Sequence, residues 1–178
     1  MKLTKILENV ISEIGDTTNV ETYKTTWWNN KAFDFDDSSI TYRVNFATGT
    51  EKTDNKYNVY LELLKSDPFY DKESWLLDVS FGVEGEDEIV DYKSVVNNDK
   101  MYRVMATVVQ IIKELIAELS KEDKFIRQIW IDPSKNFEGD NRRVRLYKAY
   151  IKKNMPAGSD LEIPDDMSYI KVTLPEPE

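Results

Sequence analysis

Apolar residues recur along this chain with two periods, and the switches between them mark out its elements. Leu3, Ile6, Leu7, Val10, Ile11 and Ile14 share one helical face and Gly15 follows as a C-cap, which predicts a helix over residues 2–14. Tyr23 to Phe35 is rich in Thr and aromatic residues. Ile40, Tyr42, Val44 and Phe46 then alternate with Thr41, Arg43 and Asn45, the period of a half-buried strand. Gly49 to Asn55 reads as a turn and Tyr57 to Leu64 as the next strand. After the break at Ser66-Asp67-Pro68, Trp75, Leu77, Val79, Phe81 and Val83 alternate with Leu76, Asp78, Ser80 and Gly82, predicting a central strand. Glu84 to Asp91 reads as a solvated acidic loop.

The period then changes to 3.6. Met101, Val104, Met105, Val108, Ile111, Ile112, Leu115, Ile116 and Leu119 predict a long helix over about residues 99–119, capped by Asn98 or Asp99. Phe125 to Ile131 reads as a buried strand reached by that helical crossover, which favours parallel pairing. Val144, Tyr147, Tyr150 and Ile151 give a last, basic helix (about 140–154) a narrow apolar face. Residues 157–166 read as a loop and Tyr169 to Leu174 as a final strand. The expectation is one α+β domain with a mixed, mostly antiparallel sheet, a long central helix and a basic C-terminal helix. The 178 residues, with 40% hydrophobic content, suffice for one core that buries about 70% of the unfolded surface.

Composition removes whole classes of chemistry. The chain has no Cys and no His, which excludes Ser-His, Cys-His and zinc-site mechanisms. A net charge of −9 gives no general attraction to nucleic acid or anionic lipid, so a nucleic-acid partner is disfavoured. The charged residues Lys2, Lys5, Glu8 and Glu13 interrupt what a signal peptide would keep apolar, and no stretch approaches the roughly 20 apolar residues of a membrane span. The acids Asp34, Asp36 and Asp37, with Glu84, Glu86, Asp87 and Glu88, lack the spacing of a calcium loop and read as solvated, so no metal site is expected.

Two segments are candidate binding surfaces. Lys135, Arg142, Arg143, Arg145 and Lys148, continued by Lys152 and Lys153, follow a strand end and a polar turn; guanidinium forks there suit carboxylates or phosphates, although such clusters also simply balance a protein's own acids. They cannot all share one helical face. Trp27 and Trp28, with Phe33, Phe35 and Tyr42, could form a stacking platform, although alternation sends about half of these rings into the core.

From Trp75 to Leu174 the order strand, long helix, strand, basic helix, strand resembles the second half of an acetyl-CoA-dependent N-acetyltransferase (a GNAT-like fold), and Leu146-Tyr147 is similar to the Leu-Tyr pair of that family. The resemblance implies Tyr147 as the acid that protonates the departing thiolate, acetyl-CoA as cofactor, and Glu62 or Asp78 as the group assisting amine deprotonation. Asn141 stands one residue out of register with the Asn that often starts that helix. The family's Gly-rich pyrophosphate loop is replaced by Val95-Val96-Asn97-Asn98-Asp99-Lys100-Met101, in which no glycine permits close backbone approach and Asp99 would oppose the phosphates. Trp130 to Lys135, then Gly139 and the Arg-rich Leu-Tyr helix, resembles a family of uncharacterised tailed-bacteriophage proteins. Together these imply a non-catalytic phage protein without cofactor. It would act through protein contacts, with itself or other virion proteins, in the virion or the host cytoplasm. An active acetyltransferase and a nucleic-acid-binding accessory protein are the alternatives.

Overall fold

A computed structural model describes residues 21–28, 32–33, 39–49, 56–65, 74–84, 90–91, 98–122, 124–132, 142–164 and 169–176. The predicted helix over 2–14 and the residues Lys135 and Asn141 lie outside them. The strands are β1 (Thr25–Trp27), β2 (Ala32–Phe33), β3 (Ser39–Ala47), β4 (Lys56–Lys65), β5 (Ser74–Glu84), β6 (Val90–Asp91), β7 (Phe125–Ile131), β8 (Asp160–Glu162) and β9 (Ile170–Thr173). The helices are α1 (Asn98–Lys121) and α2 (Arg142–Asn154). The strands form one sheet in the order β1-β3-β4-β5-β7-β9-β8, with β2 on β3 and β6 on β5. Only the β5–β7 pair is parallel among the described ladders, as the helical crossover predicts. The architecture is the expected single α+β domain with a mixed, mostly antiparallel sheet.

Alternation decides which sheet face is dry. Val59, Leu61 and Leu63 of β4, Leu77 and Val79 of β5, and Ile129 and Ile131 of β7 are fully buried, while their neighbours Tyr60, Glu62, Asp78 and Trp130 are half-buried on the opposite face. The apolar positions of β7, at 126, 129 and 131, are out of phase by one residue. A bulge absorbs the slip: Trp75 pairs with Ile126 but Leu76 with Gln128, so Arg127 is the extra residue. Its backbone carbonyl accepts from Leu174 N (2.9 Å) and its guanidinium donates to the Leu174 carbonyl (2.6 Å), which anchors the chain beyond β9.

Helix α1 packs its apolar stripe on the dry face, with Val104, Val108, Ile111 and Ile112 fully buried. Burial of each large side chain is worth about 1.5–3 kcal/mol. Ala106, Thr107 and Val109 are buried as well, which the stripe alone does not predict. Part of the cover is residues 21–23. Thr107 Oγ1 accepts from Tyr23 N (2.9 Å) and donates to the Arg103 carbonyl (2.8 Å), while Arg103 donates to the Thr22 carbonyl (3.2 Å) and stacks on the Tyr23 ring at 4.2 Å.

Two expectations are corrected. The stretch read as a solvated acidic loop contains β6, because Val90 and Asp91 pair with Glu84 and Val83. The stretch 157–166, read as a loop, contains β8: Gly158 at φ 86° turns the chain in the left-handed region and lets Asp160–Glu162 pair with β9.

Candidate functional site

The end of the parallel pair is where the sequence places chemistry. The β5–β7 ladder stops at Val79 and Ile131, and Asp132 N donates to the Val79 carbonyl at 3.0 Å. Strand β4 holds the other edge of β5 as far as Val83, so β6, paired to Val83 and Glu84, must lie on the β7 side. The edge of β5 is therefore occupied below residue 80 and again above residue 82.

Phe81 points from this short gap into the dry face and meets the Tyr147 ring at 5.6 Å in a tilted arrangement. Tyr147 is 2% exposed, and Val144, Tyr150 and Ile151 are buried beside it on the narrow face of α2. Burial raises the pKa of the Tyr150 hydroxyl. Asp78 leaves the other face of β5, opposite Glu62 on β4 and Trp130 on β7. Its carboxyl pKa is raised, first by burial and then by the negative charges of Glu62 and Asp132. The acid and base candidates named from sequence thus sit on opposite sides of the sheet. Helix α1 opens with Asn98, Asp99, Lys100 and Met101, so a residue with an acidic side chain stands in the turn where backbone N–H groups are unsatisfied.

Of the basic candidates, Lys148 is exposed on α2, as are Lys152 and Lys153 in its last turn, where cations complement the helix dipole. Arg142, Arg143 and Arg145 belong to α2 by backbone. Helical register aligns positions 145, 148 and 152, whereas 143 falls in line with 147, so the six basic positions do not share one face.

The aromatic candidates stand at a sheet edge. Trp27 is half-buried at the end of β1, and Trp28 is 48% exposed just beyond it. Trp28 is tightly held: its N donates to the Arg43 carbonyl (2.9 Å), its ring lies 4.7 Å from the Arg43 guanidinium, and its Nε1 reaches the Asn45 amide oxygen (3.2 Å) in the orientation that satisfies that amide. Arg43 itself donates to Asn58 Oδ1 through Nε (3.2 Å) and Nη2 (3.0 Å). Trp27 and Tyr42 lie on the face that α1 covers and, with Trp28, line a groove of about 620 Å³ that also carries Glu114 and Glu118 of α1 and Glu122 just past it; the Trp28 ring itself is stacked on Arg43 on the opposite face of the sheet. Sequence reasoning did not single out these acids. Their i, i+4, i+8 spacing was the available signal, but it is also that of any solvated helix face.

Among the described residues no cluster of acidic side chains is placed to hold a metal ion, and no helix is long and apolar enough to cross a membrane. Comparison of the chain with protein-family models, with curated proteins and with solved structures finds no match.

Proposed function

We propose that this chain is a non-catalytic bacteriophage protein on an acetyltransferase-like scaffold, acting through protein contacts in the virion or in the cytoplasm of the host. The scaffold reading is supported by a long helix joining two parallel central strands, followed by a basic helix and an antiparallel pair. The phage origin is supported by the run from Trp130 to Lys135 and the Arg-rich Leu-Tyr helix.

The observation that carries the non-catalytic reading is the state of the β5 edge. Strand β6 takes up Val83 and Glu84, and the turn of α1 that would cradle phosphates begins Asn98-Asp99 with no glycine. Tyr147 then serves as a core ring against Phe81, on the side of the sheet opposite to Glu62 and Asp78.

Thermal unfolding with added acetyl-CoA tests this. A ligand at tenfold over its dissociation constant adds about 1.4 kcal/mol, roughly 3–6 °C for a domain of this size. The expected shift at 5 mM, on the order of ten times a weak cofactor's dissociation constant, is nil. A rise of several degrees would overturn the reading. Detection of the chain in purified particles would assign it to the virion, and its absence there to the infected cell.

A further inference from the structure

Both described helices pack on one face of the sheet, α1 through its apolar stripe and α2 through the contact of Tyr147 with Phe81. On the other face strand register sets the side chains in rows. Arg43 stands opposite Tyr60; two residues along, Glu62 stands opposite Asp78; two further, Leu64 stands opposite Leu76. Successive rows are about 7 Å apart, twice the rise per residue of a strand. Arg43 is half-buried between the rings of Trp28 (4.7 Å) and Tyr60 (5.7 Å), and its Nε and Nη2 donate to a neutral acceptor, Asn58 Oδ1. It makes no ion pair among the described residues, although Glu62 lies only one row away. The guanidinium leans to Asn58 instead, on the side away from Glu62, and its Nη1–Nη2 edge, on which an arginine takes a carboxylate with two parallel bonds, has no partner there. Asn58 is 0% exposed and its Nδ2 is also without a partner, so a buried donor is left beside the guanidinium.

The next row breaks a second rule. Glu62 and Asp78 are like charges directly opposite each other, an arrangement that costs stability, and no Lys or Arg pairs with either among the described residues. Burial and then the charges of Glu62 and Asp132 raise the pKa of Asp78, as expected of a carboxylate that lacks a cation. Trp130, beside Asp78 on β7, is braced by its stack on Tyr169 at 5.0 Å and walls that end of the row. We propose that this face binds a free α-amino acid with an apolar side chain, its carboxylate on Arg43, its ammonium between Glu62 and Asp78, and its side chain over Leu64 and Leu76. Such a ligand carries all three groups within one residue. A lone acid would leave the carboxylates unanswered, and a lone amine would leave Arg43 so. The inference goes beyond the protein-contact reading above and stands apart from it.

The test is calorimetric titration of the full chain with L-leucine and L-phenylalanine in the millimolar range. Saturable binding of at least one is expected, with leucinamide and N-acetyl-L-leucine, which each lack one charge, weaker by about tenfold or more. Arg43→Gln and Glu62→Gln should each weaken the amino acid about tenfold, and Arg43→Lys should restore part of the loss, because it keeps the charge without the fork. If Arg43→Gln lowers the unfolding midpoint, Glu62→Gln carries the test, since it removes a charge and no described hydrogen bond. Absence of binding by both amino acids, or affinity indifferent to these substitutions, overturns the proposal. Leucinamide binding as tightly as leucine also overturns it, in favour of a simple cation or a peptide's amino terminus. N-acetyl-L-leucine doing so overturns it in favour of an anion or a peptide's carboxyl terminus.

Discussion

The gap at the end of β5–β7 and the groove beside β1 are both breaks in regular structure next to a helix, yet they are finished in opposite ways. At the first, Phe81 and Tyr147 fill the space from the helix side and β6 closes the strand edge. At the second, Trp28 is held by Arg43 and Asn45 and stays 48% exposed, while Trp27 is half-buried against the core. The tyrosine of the Leu-Tyr pair is packed, whereas the tryptophan at the sheet edge is exposed. Substitutions at the two places should therefore differ in size, with stability lost at the packed ring and little lost at the exposed one.

The sharpest break in that comparison comes from Tyr147→Ala, which should destabilise by about 3–5 kcal/mol in urea unfolding, as large buried rings do. Tyr147→Phe should stay within about 1.5 kcal/mol, the worth of one hydrogen bond. A near-neutral Tyr147→Ala would mean that the ring is not core. Next, Thr107→Val removes the acceptor of Tyr23 N and should cost about 1–3 kcal/mol, with faster amide exchange at Tyr23 as its local signature. Trp28→Ala should change stability by less than about 1 kcal/mol in the same unfolding measurement.

The smallest effect is electrostatic. Because the folded pKa of Asp78 is raised, the folded state binds its proton more tightly than the unfolded chain does, and stability falls as pH rises from the ordinary value of 3.8 through the raised one. Asp78→Asn should thus stabilise the protein at neutral pH, by less than about 1 kcal/mol, and the gain should vanish near pH 3.8. A gain that persists in acid would point to packing instead.

Helix α1 was legible because its apolar residues repeat over about five turns, and the central strands because alternation persists over nine to eleven residues. Strands β6 and β8 were not, since two or three polar-rich residues carry no period and pair only because β5 and β9 offer an edge. The tie between Tyr23 and Thr107 crosses 84 residues and leaves no local trace. For the candidate site, Leu-Tyr looked chemical because the motif is defined by residue type, whereas burial depends on a Phe81 contact that type does not encode. Trp27-Trp28 was visible as an aromatic pair, but that one ring turns toward α1 and the other toward Arg43 follows only from the register of β1 on β3.

The central claim is most directly tested by one two-dimensional amide spectrum of the full chain, recorded with and without acetyl-CoA. The account predicts that acetyl-CoA moves no signal. Shifts at Val79, Phe81 and Tyr147 on adding acetyl-CoA would contradict it.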